Sequence, residues 1–96
     1  MVKFSITKNP TDVMEDIALK HKKLRKLQGL SQQELAERSG VSFGSIKRFE
    51  TTGQISFESL LKLAHILTRL EDFDSIFKPI ESMDDIEKLF SGSTRS

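Results

Sequence analysis

The stretch Ser31-Gln32-Gln33-Glu34-Leu35-Ala36-Glu37-Arg38-Ser39-Gly40-Val41-Ser42-Phe43-Gly44-Ser45-Ile46-Lys47-Arg48-Phe49-Glu50 decides the fold. Ser31 followed three residues later by Glu34 is the pattern of a capping box, in which a serine oxygen and a glutamate carboxylate satisfy free amides at a helix start. Leu35 and Ala36 then face inward, and Gly40 stops the helix after about two turns, because glycine takes the left-handed conformation without a Cβ clash. Ser42 caps a second short helix whose Ile46 and Phe49, three apart, share one buried face. The small side chain of Ala36 lets the two helices approach closely. Ile46 pins one against the other, and the outer face of the second stays free.

Helical signals continue on both sides. Asn9, Pro10 and Asp12 read as an N-cap, an N1 proline and a first-turn acid. The helix they start places Val13, Ile17, Leu24 and Leu27 on one stripe with His21, and Gly29 ends it. Thr51-Thr52-Gly53-Gln54 reads as a loop. Ser56 caps a further helix with Leu60, Leu63, Ala64 and Leu67 as its buried stripe. Phe73, Ile76 and Phe77 predict a short fifth helix ending before Pro79. Lys3 to Thr7 is a weak strand or a loose arm. Ser82 and Asp85 are candidate caps for a turn carrying Ile86, Leu89 and Phe90, and Ser91 to Ser96 are expected to fray. Phe73, Ile76, Phe77, Ile86, Leu89 and Phe90 together exceed what one small core needs. Phe73 and Ile76 are expected to close the core, and the others to form an interface.

The composition narrows the chemistry. The 96 residues make one small domain. The lack of cysteine excludes disulfides, thiolate metal sites and a cysteine nucleophile. No apolar run approaches the roughly 18 residues that span a bilayer, and the start is too short and mixed for a signal peptide. His21 and His65 have no carboxylate at metal-ligand spacing in the sequence. No serine joins a histidine and an acid in a credible catalytic set, and no glycine-rich phosphate loop is present. No catalytic residue, metal or cofactor is therefore expected, and a cytoplasmic location is. The first 50 residues hold ten Lys or Arg and six Asp or Glu, and the remaining 46 hold five and eight. A basic front suits a polyanion and an acidic back suits protein or solvent, although ordinary surface charge explains so small an asymmetry equally well. The cluster Lys20, His21, Lys22, Lys23, Arg25 and Lys26 reads first as a solvated helix face, since helical spacing scatters it around the axis.

Two short helices joined by a glycine turn form a helix-turn-helix. The free face of its second helix carries Phe43, Gly44, Lys47, Arg48 and Thr51. A projecting cationic helix suits the major groove of double-stranded DNA. Arg48 can offer two donors to guanine O6 and N7, and Lys47 can take the same edge or a phosphate. Gly44 permits close approach. Phe43 has three open roles: packing on a thymine methyl, joining the core, or forming an interface. The capped helix starts at Ser31 and Ser42 leave amides and positive dipole ends on the same surface, which favours phosphate.

From Leu24 to Leu67 the chain resembles the Cro and phage-repressor class of helix-turn-helix proteins, the XRE family. The matching residues are Arg25, Gly29-Leu30-Ser31-Gln32-Gln33-Glu34-Leu35-Ala36, Ser39-Gly40-Val41-Ser42, Ser45-Ile46 and Glu50. The resemblance implies an all-α, lambda-repressor-like bundle of about five helices over residues 10–78, with an N-terminal arm at 1–9 and a C-terminal tail at 79–96. It implies base reading by Phe43, Gly44 and Arg48, phosphate contacts by Gln32 and Ser45, and a buried structural ion pair between Arg25 and Glu50. The family commonly continues with Glu-Asn-Gly and a basic residue. Here Thr51-Thr52-Gly53-Gln54 stands instead, so phosphate contacts there would fall to backbone and to the hydroxyls of Thr51 and Thr52. Residues 42–50 and the acidic Glu71-Asp72-Phe73-Asp74 are also similar to HipB-type antitoxins, which repress their own operon and bind a kinase toxin. The expected protein is thus a homodimeric repressor that reads a palindrome with residues 42–51. An antitoxin-type autorepressor with a toxin partner, and a protein-interaction adaptor without specific DNA binding, are the alternatives.

Overall fold

A computed structural model describes residues 8–79. Among these the chain is all helical. It consists of α1 (Pro10–Leu27), α2 (Gln32–Ser39), α3 (Phe43–Thr52), α4 (Phe57–Ile66) and a 3-10 helix, Leu70–Ser75. The expected arm before Lys8 and the turn expected around Ile86, Leu89 and Phe90 lie outside the described residues.

The helix starts follow from short-range chemistry. Asn9 Oδ1 accepts the Asp12 amide at 2.9 Å and the Asp12 carboxylate accepts the Asn9 amide at 3.2 Å, so α1 opens with a full capping box and Pro10 at N1. Ser31 and Glu34 form the reciprocal pair at α2, at 2.9 and 2.8 Å. Its backbone and side-chain hydrogen bonds with Ser31 hold the Glu34 carboxyl below its ordinary pKa. Ser42 and Ser56 cap α3 and α4 through the Ser45 and Ser59 amides. Gly40 closes α2 at φ +80°.

The core is Ala18, Leu30, Leu35, Val41, Ile46, Phe49, Leu63 and Leu67, with Leu24, Ala36, Ile55, Leu60 and Ile66 packed against it. α1 packs on α3, and α2 packs on both α3 and α4. This arrangement seats α3 across α2 with Ile46 and Phe49 fully buried and its opposite side open.

Three expectations are corrected. The buried stripe of α1 is Ala18, His21 and Arg25, with Met14 and Leu24 half-buried; Val13 and Ile17 are more than a third exposed, and Leu27 is 84% exposed. Residues 14, 18, 21 and 25 follow the 3.6-residue period as well as the apolar set does. Close packing selects the stripe with the small residue and a stretch of polar groups that find partners across the interface. Second, α3 does not stop at Glu50. Thr51 and Thr52 continue it, their hydroxyls donating to the Lys47 and Arg48 carbonyls at 2.8 Å, and Gly53 ends it at φ +86°. A Cβ on Gly53 would sit 2.9 Å from the Met14 backbone carbonyl carbon, so the α3 terminus touches α1 where only glycine fits. Third, the fifth helix is 3-10 and ends at Ser75. Ile76 is extended and half exposed, and Phe77, at φ +59°, is 96% exposed, so of Phe73, Ile76 and Phe77 only Phe73 is partly buried.

Candidate nucleic-acid interface

The outer side of α3 presents Phe43, Gly44, Ser45, Lys47, Arg48 and Thr51 to solvent. Phe43, 42% exposed, is not in the core. A Cβ on Gly44 would meet nothing within 4 Å, so this turn of the helix offers bare backbone to whatever approaches. Arg48 folds along the surface, and its Nη2 donates to the Gln54 Oε1. Gln54 thereby holds the guanidinium against the start of α4, while the remaining N–H groups of the fork have no partner among the described residues. Gln54 stands in the sequence only as a replacement for an expected basic residue, and nothing in the chain's local pattern pairs it with Arg48, six positions earlier.

The helix N-termini border this face. Ser31 Oγ serves the third amide of α2 and Ser42 Oγ serves the third amide of α3. The first two amides of each helix have no acceptor inside the helix and remain for water or phosphate. Ser42 Oγ also donates to Ser45 Oγ at 2.9 Å, linking the two serines. Beside them Ser45, Arg48, Gln54, Ile55, Ser56 and Ser59 line an open depression of about 310 Å³. Sequence reasoning missed Gln54, Ser56 and Ser59 as parts of this surface; the cap at Ser56 was the available signal. The hydroxyl hydrogens of Thr51 and Thr52 are already given to helix carbonyls, and Thr52 Oγ1 also accepts the Gln54 amide at 3.1 Å.

Behind α3 lies a buried polar junction. Arg25 grips Glu50 with two parallel bonds, Nε to Oε2 at 2.9 Å and Nη2 to Oε1 at 2.8 Å, and its Nη1 donates to the Leu30 carbonyl at 2.7 Å. This is the ion pair that the family resemblance implied, but it has two further members. His21 Nδ1 lies 2.7 Å from Glu50 Oε2, and Gln32 Nε2 donates to Oε1 at 2.9 Å. The Gln32 side chain, expected at a phosphate, therefore turns partly toward Glu50 from the first position of α2. Burial pushes the Glu50 carboxyl up, but hydrogen bonds from His21, Arg25 and Gln32, with the Arg25 charge, outweigh it and hold the pKa at about 2. The side chains of Arg25 and Glu50 are 6% and 2% exposed. A fully bonded carboxylate at this depth fixes the angle of α3 against α1 and α2 rather than acting as a ligand site. His21 and Arg25, four apart on α1, were the sequence signal for the third member.

A family model described as helix-turn-helix matches residues 22–70, slightly more than half of the chain. The chain belongs to the helix-turn-helix family of the Cro/C1 type. Comparison with curated proteins and with solved structures returned no match. The matched region holds every residue assigned above to the interface, and every member of the buried junction except His21. This helix-turn-helix protein is a DNA-binding transcription regulator, and its partner is double-stranded DNA. No helix among the described residues is long and apolar enough to cross a membrane.

Proposed function

We propose that the protein is a sequence-specific repressor that binds a palindromic operator as a homodimer, each copy reading one major groove with Ser42–Thr51. The observation that carries this reading is the outer face of α3, where Lys47, Arg48 and Phe43 flank the bare backbone of Gly44. Arg48, with Lys47, recognises base edges, and Phe43 packs on a thymine methyl. Ser31, Gln32, Ser42 and Ser45 hold phosphates at the two helix starts, and Thr51 and Thr52 contribute at the end of α3 by turning their hydroxyls from the Lys47 and Arg48 carbonyls to a phosphate. Exposed Leu70 and Phe77 beyond α4 support self-association. Two copies on one palindrome multiply the affinity of a single small module.

The test is a titration of the protein against the DNA upstream of its own gene and against a scrambled duplex, at two salt concentrations, with Arg48→Ala alongside. Tight, salt-sensitive preference for its own DNA is expected, and Arg48→Ala should cost about 1–3 kcal/mol on the preferred site while relaxing one base position. Equal weak binding to both duplexes would favour an adaptor that has the fold without specific DNA binding. The exposed carboxylates Glu71 and Asp74 support a second reading, an autorepressor of the HipB type that also neutralises a protein such as a kinase toxin. Copurification with the product of a neighbouring kinase-like gene tests it.

A further inference from the structure

A second feature lies away from the DNA face. Between α1, α4 and the 3-10 helix runs a half-open groove of about 410 Å³. Its walls are mainly apolar: Ile17 and Leu24 on α1, Leu60 and Leu67 on α4 and its cap, and Phe73 and Ile76 at the 3-10 end. Ile17 and Ile76 are 38% and 49% exposed, and Leu24, Leu60 and Phe73 are half-buried, so nothing among the described residues covers this surface. A continuous apolar surface of this kind marks a contact.

The chain itself supplies the occupant. Ile76, a wall of the groove, stands three residues before Pro79, where the described residues end, so the sequence that follows starts at the groove's rim. That sequence is amphipathic. Ser82 followed three residues later by Asp85 is a helix-capping pattern, and Met83, Ile86 and Phe90 recur at i, i+3 and i+7, one stripe of a helix. A helix over residues 83–90 is about 12 Å long, and the α1 wall between Ile17 and Leu24 is about 10 Å long by the same rise per residue. Residues 79–82 leave a connection of the length that commonly joins packed helices, about two to eight residues.

The charges match as well. Glu81, Asp84, Asp85 and Glu87 make this segment acidic against the single cation Lys88. The facing half of α1, residues 19–27, carries exposed Lys20, Lys22, Lys23 and Lys26 and no acid. Lys20 and Arg69 stand on the groove itself. They pair with Asp16 and Asp72 at 3.0 and 2.9 Å, but exposed pairs are worth little, so both cations can be shared with an incoming carboxylate. Glu71, Asp72 and Asp74 on the 3-10 helix repel such carboxylates and turn them toward α1.

We propose that residues 83–90 dock in the groove of their own chain as a short helix, with Met83, Ile86 and Phe90 packed against Leu24, Leu60 and Phe73 and the carboxylates toward the lysines of α1. A segment tethered this closely acts at an effective concentration of roughly millimolar, which a second copy at micromolar concentration does not match. The closing helix of the bundle then follows the 3-10 turn. Leu70 and Phe77, the residues offered for self-association, are not walls of the groove, so this docking is independent of both dimer formation and DNA binding.

The chain lacks cysteine, so disulfide trapping reads the contact directly. In the full-length protein Ile17→Cys, at a wall position already partly exposed, is combined with Ile86→Cys or with Phe90→Cys. In the controls Leu19→Cys, on another side of α1, replaces Ile17→Cys. Under mild oxidation at least one Ile17→Cys pair is expected to close within one chain about tenfold faster than its control. Equal rates for pair and control, or a mainly disulfide-linked dimer, overturns the proposal; the dimer would assign the groove to a second copy. The unsubstituted protein answers the same question by NMR in a mixture of ¹³C-labelled and unlabelled chains. Nuclear Overhauser contacts from Met83, Ile86 or Phe90 to Leu24, Leu60 or Phe73 are expected within one molecule. Their absence, or their appearance only between labelled and unlabelled chains, overturns it too.

Discussion

On α3, Ile46, Phe49 and Glu50 face α1 and α2, whereas Phe43, Gly44, Lys47 and Arg48 face outward. The inner side is closed: Glu50 accepts from three side chains, and its own side chain is 2% exposed. The outer side is open, and the one bond that its side chains make among the described residues, from Arg48 to Gln54, lies in solvent where water replaces it at little cost. One helix thus carries a rigid seat and an adaptable face. Rigidity behind the face matters because a recognition helix misaimed by its seat cannot register side chains with base edges. The two glycines at the ends of this comparison make the same point. Gly53 is required by backbone contact with Met14, while Gly44 is surrounded by space that only a ligand would fill.

The largest effect should come from cutting the inner side. Glu50→Ala leaves the Arg25 guanidinium buried without its carboxylate, and a broken buried pair costs about 3–5 kcal/mol. Urea denaturation should show a midpoint shifted far down, and an unchanged midpoint would mean that the junction does not hold α3. Acid should attack the same group more gradually. The Glu50 pKa falls on folding from 4.5 to about 2, so its contribution is fully present above pH 4.5 and is lost as the pH falls toward 2. The loss amounts to about 3 kcal/mol at the acid end, and unfolding curves recorded between pH 6 and 2 should follow it in the wild type and not in Glu50→Ala.

The glycine pair gives opposite signs. Gly53→Ala forces a side chain into a left-handed conformation against the Met14 backbone and should cost about 1–3 kcal/mol. Gly44→Ala meets nothing and improves helix propensity by about 0.5–1 kcal/mol, yet it should weaken DNA binding by filling the space over the bare backbone. Thermal melts and duplex titrations of both variants would separate seat from face; equal destabilisation by both would erase the distinction. The smallest effect belongs to the residue at the seam. Gln32→Ala removes one half-buried bond to Glu50 and should cost about 1 kcal/mol of stability. It should also weaken cognate and scrambled duplexes equally, because a phosphate contact carries no sequence information. A change in preference between the two duplexes would move Gln32 to the base-reading group.

What the sequence determined is local. The capping boxes at Asn9 and Ser31, the glycine stops and the Ile46–Phe49 pair specify helix starts, ends and inward sides through contacts within a few residues, and these can be read before the chain folds. The family pattern added the Arg25–Glu50 pair. Tertiary structure decided the rest, since it depends on what meets across the bundle. It chose the polar stripe Ala18, His21 and Arg25 over the apolar set Val13, Ile17 and Leu27 on α1, because α3 comes so close there that Gly53 touches Met14. It turned Gln32 and His21 toward a carboxylate 18 and 29 positions away and set Gln54 against Arg48. It also ended the fifth helix early and left a cavity beside it. A hydrogen bond or a void between distant residues has no period and no local signature, so only the assembled fold could assign either.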